Sequence, residues 1–184
     1  MSDIIKDADK RMKKSVDVLK SEFAGLRTGR ASTVLVEDIK VDYYGTMTPI
    51  KQLAQISVPE ATQIAIQPWD ISVVPNIEKA IRNSDLGVMP QTDGNVIRIN
   101  LPPLTEERRR ELVKKAGKMA EQARIAIRNI RHELMKELDR MKKEGGVSED
   151  EIKRLKDELQ KVTDKYVKQI DELLKKKEEE ILTV

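Results

Sequence analysis

The sequence predicts an α+β protein: a long three-helix bundle interrupted by a small mixed α/β domain. Three observations predict it. Along three long stretches apolar residues recur at spacings of three and four, the mark of amphipathic helices. Between the first and second of these, over residues 31–104, that period gives way to short β-rich runs separated by turn residues. Charge divides along the same line. Residues 31–104 hold five Lys/Arg against eight Asp/Glu, whereas residues 105–147 hold thirteen bases against eight acids.

The first helix carries Ile5, Ala8, Met12, Val16, Leu19, Phe23 and Leu26 on one stripe, with Gly25 and Gly29 near its end. In the middle segment, strands are expected at 39–44, 56–58, 63–66 and 96–101, punctuated by Gly45, Pro49, Pro59 and Asp93-Gly94. One short helix is expected over 75–83, capped by Ser72 with Pro75 in its first turn. The second long helix runs over 105–144, with Leu112, Ala116, Met119, Ala123, Ile127, Ile130, Leu134, Leu138 and Met141 as its stripe. Gly145-Gly146 stops it. The third begins at Ser148, with Glu151 three residues on as a capping box. Its stripe is Ile152, Leu155, Leu159, Val162, Tyr166, Ile170, Leu173 and Ile181. The short Gly-Gly connection makes these two helices antiparallel neighbours. The bundle is therefore expected from 1–30 and 105–184, and the inserted domain from 31–104. Connections lie at 27–32 (Arg27, Thr28, Gly29, Arg30) and 101–104 (Pro102, Pro103). Both read as hinges, since glycine permits a turn and paired prolines stiffen a strand.

Composition excludes several classes. The chain has no cysteine, so disulfide and thiolate chemistry are absent. No apolar run approaches the ~20 residues of a membrane span, and the start of the chain lacks the apolar run of a secretory signal. The chain reads as soluble and cytoplasmic. A single histidine, His132, cannot build a multi-histidine metal site or a conventional triad, and no P-loop run is present. Neither an enzyme nor a cofactor is expected.

One feature survives this pruning. Between Glu121 and Glu133 stand Arg124, Arg128 and Arg131 and no acidic residue. At about 100° per residue, Arg109, Val113, Ala120, Arg124, Arg128 and Arg131 fall on one strip, which is expected along an exposed edge of the bundle. Guanidinium groups without nearby carboxylates suit phosphate. The second helix has no aromatic residue, so folded nucleic acid read by phosphate position is a better target than stacked bases.

Several separated motifs, in order, resemble those of the bacterial ribosome recycling factors over essentially the whole chain. They are Arg27-Thr28-Gly29-Arg30-Ala31, Val41-Asp42-Tyr43-Tyr44-Gly45, Ser84-Asp85-Leu86-Gly87, Leu101-Pro102-Pro103-Leu104-Thr105-Glu106-Glu107-Arg108-Arg109, and Ala123-Arg124-Ile125-Ala126-Ile127-Arg128-Asn129-Ile130-Arg131. The resemblance implies an L-shaped molecule with a three-helix arm and a β/α/β arm, expected to act as a monomer. It implies binding to large-subunit ribosomal RNA, through Arg109, Arg128 and Arg131 among other residues. It further implies dissociation of the post-termination ribosome together with elongation factor G and GTP. Many members carry a second basic residue after the last arginine of that motif, where this chain has His132. A coiled-coil chaperone or scaffold for other proteins is the alternative. It accounts for the long charged helices but not for the arginine strip or the inserted domain.

Overall fold

The computed structural model describes residues 3–26 and 28–182; Arg27, expected in the first connection, lies outside the described residues. In chain order the elements are α1 (Asp3–Ala24), α2 (Val34–Glu37), β1 (Lys40–Tyr43), β2 (Thr46–Pro49), β3 (Ala54–Glu60), β4 (Gln63–Pro68), α3 (Val74–Arg82), β5 (Gln91–Asp93), β6 (Val96–Asn100), α4 (Glu106–Glu144) and α5 (Glu149–Leu182). Single 3-10 turns precede β3 (Ile50–Gln52) and α3 (Ile71–Val73). The chain forms two compact units, residues 3–23 with 110–182 and residues 24–109.

In the first unit the pairings between helices fix their directions. Arg124 meets Asp171, Arg131 meets Gln160, and Lys156 meets Asp139, so α4 and α5 run antiparallel. Arg11 reaches Glu133, while Leu19 and Glu22 lie beside Met119 and Ala123, so α1 also opposes α4. Every apolar residue expected to line α1 is buried. On α4 the buried set is Leu112, Ala116, Ala120, Ala123, Ile127, Leu134 and Leu138. Ala120, placed on the exposed strip by simple wheel geometry, is thus core, and Met119, Ile130 and Met141 are only half-buried. On α5 Thr163 is buried where Val162 was expected, and Leu173 is half-buried. On α4, at about 100° per residue, the buried set from Leu112 to Leu138 fits one arc of about 80°, with Ala120 at the same angle as Leu138 and Met119 just outside it, so the covered face is slightly rotated from the expected stripe. Thr163 stays satisfied because its hydroxyl donates to the Leu159 carbonyl at 2.8 Å. A fully buried Leu or Ile contributes about 1.5–3 kcal/mol, whereas an exposed ion pair contributes about 0.2–1 kcal/mol. Packing, then, holds this unit together.

Helix ends follow the sequence signals in part: Ser148 caps α5, but the Glu151 carboxylate pairs with Arg154 and does not close the expected box. Ser148 Oγ accepts from the Glu151 amide at 3.1 Å, and Thr105 Oγ1 accepts from the Arg108 amide at 3.1 Å. Gly145 and Gly146, at φ 79° and 83°, turn the chain between α4 and α5.

The second unit is a four-stranded antiparallel sheet, ordered β3-β4-β6-β5, with a separate β1-β2 hairpin. Ile64 pairs with Ile99 and Ile66 with Ile97, so all four point to one face and are fully buried. They pack in one cluster with Ile77 and Ile81 of α3, Val41 of β1 and Ile50. Three features differ from expectation. Strands β2 and β5 and the short helix α2 are present, although none of them carries a regular apolar alternation. The first strand ends at Tyr43, because Tyr44 adopts φ 49°. A 3-10 turn leads into α3, so the capping residue is Asp70, which accepts from the Ser72 amide at 3.0 Å; Ser72 does not cap α3 itself.

Both connections are pinned to the same turn of this unit. The Ala31 amide donates to the Ala61 carbonyl at 2.7 Å, and the Leu101 amide to the Thr62 carbonyl at 2.8 Å. Gly29 is buried with φ 88°, a conformation that glycine adopts without steric cost.

Candidate nucleic-acid interface

Helix α4 positions all four arginines expected to bind RNA, but it does not leave them in equivalent surroundings. Arg109 sits in the first turn of α4, behind the Thr105 cap, and its amide donates to the Thr105 carbonyl at 3.0 Å. It is the last residue of the second unit, fifteen residues before Arg124, so it stands apart from the other three. Arg124, Arg128 and Arg131 all lie on the middle turns of α4 within the first unit.

The interval that is free of acids in sequence is not free of them in space. Arg124 is held by two carboxylates: Asp171 of α5 at 2.7 Å and Glu121, one turn earlier, at 3.0 Å. Its side chain is only 18% exposed. Burial by itself would lower its pKa, but the hydrogen bonds to Asp171 and Glu121 outweigh that and raise it above the usual arginine value. Arg124 is therefore a clamp between α4 and α5, which corrects the expectation of a bare guanidinium there. The reason is packing: α5 delivers Asp171 to this point, and no reading of α4 alone can register it.

Arg128 is exposed and shares Glu121 through a longer contact of 3.4 Å. Arg131 differs from both. Its Nε donates to the Gln160 side-chain oxygen at 2.7 Å, and the Gln160 amide nitrogen donates onward to Asp164 at 2.8 Å. No carboxylate pairs with Arg131 among the described residues. A neutral amide thus fixes the direction of the guanidinium while its charge stays uncompensated, which is the arrangement an anion site requires. His132, next along the helix, is exposed.

Gln160 and Asp164 were not legible as site residues. Their spacing of four on α5 allows them to bond, but only the α4–α5 contact shows what they support. Among the described residues no group of histidine and acidic side chains could hold a metal ion, and no helix is long and apolar enough to cross a membrane.

Comparison with known proteins agrees with this architecture. The profile of the family described as "Ribosome recycling factor" matches residues 19–182. The ribosome-recycling factor of Aquifex aeolicus is 55% identical over 184 residues, covering 100% of this chain and 98% of that protein. The one from Pelotomaculum thermopropionicum is 54% identical over 182 residues, covering 99% and 98%. A solution structure of a ribosome recycling factor aligns with a TM-score of 0.81 and 56% identity, covering 99% of this chain and 97% of that one. A second structure, the T. thermophilus ribosome recycling factor described with E. coli elongation factor G bound to the E. coli post-termination complex, aligns at 0.67 with 46% identity, covering 97% of each chain. With a family match over most of its length and relatives more than half identical end to end, the chain belongs to the ribosome recycling factor family.

Proposed function

We propose that this protein binds the post-termination ribosome through the arginine face of α4, contacting large-subunit ribosomal RNA, and that with elongation factor G and GTP it promotes dissociation into subunits. The observation that carries the site is Arg131, a charge oriented by Gln160 and left without a carboxylate partner. Arg128, exposed and weakly paired, extends that face, and Arg109 adds a separate contact. Arg124 supports the face by holding α5 against α4.

The protein works as a cytoplasmic monomer and contributes no covalent chemistry; the partner hydrolyses GTP. A helix of 39 residues is about 58 Å long at 1.5 Å per residue, stiff enough to carry a push along its length. Bending is confined to Thr28, Gly29 and Arg30 on one connection and Pro102 and Pro103 on the other. What supports this is the anchoring of both connections, at Ala31 and Leu101, to adjacent residues of one turn. A general protein scaffold would need neither the oriented Arg131 nor the small unit.

The test is pelleting of the full chain with isolated large and small ribosomal subunits at rising salt. Binding to large subunits is expected, with affinity falling at a log–log slope of about −2 to −3, as for roughly three neutralised phosphates. No pelleting, or binding insensitive to salt, would reject the RNA interface.

A further inference from the structure

A guanidinium can grip one oxyanion with two parallel bonds along either of two edges: the side bearing Nε and a terminal nitrogen, or the end bearing both terminal nitrogens. At Arg131 the first edge is taken. Nε donates to Gln160 Oε1 at 2.7 Å, while Nη1 and Nη2 have no partner among the described residues. The end is therefore the edge left for two oxygens of one phosphate.

The amide that occupies Nε is itself held one way round. A glutamine carries an acceptor at one corner and a donor at the other, and these exchange places when the amide turns over. Here both neighbours force the same choice. Arg131 Nε can only donate, so the Gln160 oxygen must face it. The ionised Asp164 carboxylate, one turn further along α5, can only accept, so the Gln160 nitrogen must face it, at 2.8 Å. Gln160 is half-buried and Asp164 exposed. Without Asp164 the amide is free to turn, and the turned form presents N–H donors to a guanidinium that has no acceptor.

Residue 160 also sets the charge of the site. A glutamate there would have nearly the same shape and would give Arg131 a stronger, charge-assisted bond, but it would neutralise the charge that an anion has to meet. Arg124 shows that outcome on the same pair of helices, bound by Asp171 at 2.7 Å and Glu121 at 3.0 Å. Carboxylates hold the arginine that closes the bundle, and an amide holds the arginine that stays charged. At Arg131 a carboxylate is present too, but set back behind the amide.

We propose that Gln160 and Asp164 are positioning residues for phosphate capture by Arg131. Asp164 locks the Gln160 amide, Gln160 occupies Nε and leaves Nη1 and Nη2 to the anion, and the neutrality of residue 160 keeps the guanidinium charge available. This rests on the RNA interface proposed above. The test is a pair of double-mutant cycles in the full chain: Gln160→Glu and Asp164→Ala, each alone and with Arg131→Ala. Pelleting with large subunits at several salt concentrations is paired with thermal melts. Gln160→Glu should lower affinity roughly tenfold, the lower end for a charge-assisted contact, and flatten the log–log salt slope by somewhat under one unit. Its melt should stay within about 3 °C of the parent, because the new ion pair offsets the lost bond to Asp164. With Arg131→Ala already present, the same change should lower affinity less than about threefold, as one added negative charge does. Asp164→Ala separates the lock from general electrostatics by sign. Removing a carboxylate near RNA would by itself tighten binding. Loss of the lock should instead weaken it about two- to threefold, as the amide divides between two orientations, and only while Arg131 is present. Additive effects in both cycles, or tighter binding by Asp164→Ala alone, would overturn the positioning role and leave the arginine site standing. Asp164→Ala, at an exposed position, decides the matter should Gln160→Glu melt well below the parent. Unchanged affinity for Arg131→Ala alone would remove the anion site on which the proposal rests.

Discussion

Removing Arg131 and removing Arg124 should have opposite consequences, although the two residues lie on one helix seven positions apart. Arg131→Ala deletes one hydrogen bond to the neutral Gln160. That bond contributes about 0.5–1.5 kcal/mol to the fold, because its partner is readily rehydrated. If Arg131 meets a phosphate, the lost charge-assisted contact is worth about 1.5–3 kcal/mol, or roughly 10- to 150-fold in affinity. The salt slope should flatten by somewhat under one unit. Arg124→Ala instead deletes pairs to Asp171 and Glu121, both about half exposed. Each contributes about 0.2–1 kcal/mol, and the buried stem adds packing. The bundle should lose about 1–2 kcal/mol, a fall of roughly 2–8 °C in melting temperature, with little direct effect on affinity. Lys114→Ala, further round the helix, should change neither. Pelleting with large subunits at several salt concentrations, paired with thermal melts, reads both quantities. Unchanged affinity and slope for Arg131→Ala would refute the anion site. Equal loss of binding for Arg124→Ala with an unchanged melt would refute its reading as a clamp.

Two further outcomes are expected. With residues 31–104 replaced by a short Gly/Ser linker, the bundle should retain its helix and melt cooperatively by circular dichroism, since its apolar stripes are buried within the first unit; a broad melt or loss of most helix would show dependence on the small unit. Tyr166 should titrate late: burial first, then the 2.6 Å bond to Asp9, push its pKa from 10.0 up to about 12. Because the folded value is the higher, the stabilising contribution is complete below pH 10 and is lost as pH rises from 10 to about 12. Tyr166→Phe should abolish that alkaline loss in denaturant melts, together with the last phenolate step by ultraviolet absorbance.

The long helices were legible because burial obeys their period. Ile5 through Phe23 on α1 is the clearest case, with every expected position buried. On α4 the covered face is rotated slightly from the expected stripe, so Ala120 is core and Met119 half-buried; the neighbouring helices set where that face is centred, and α4 alone does not show it. In the small unit Ile64, Ile66, Ile97 and Ile99 announced their strands by alternation, whereas β5, exposed at all three positions, offered no such signal. The arginines of α4 could be read as a group because helical spacing is local. Their inequivalence could not, since Asp171, Gln160 and Asp164 come from α5, more than 25 residues away along the chain. Tyr44 was visible as an aromatic beside a turn glycine; its positive φ was not.

Dissociation of post-termination ribosomes by this chain together with elongation factor G can be followed directly. Light scattering of such ribosomes, with an anti-association factor present to trap free subunits, tests it most directly. Scattering should drop only when the chain, elongation factor G and GTP are all present, and Arg131→Ala should slow the drop roughly tenfold or more at limiting protein. A flat trace with all three components, or a drop of equal rate when this chain is left out, would contradict the account.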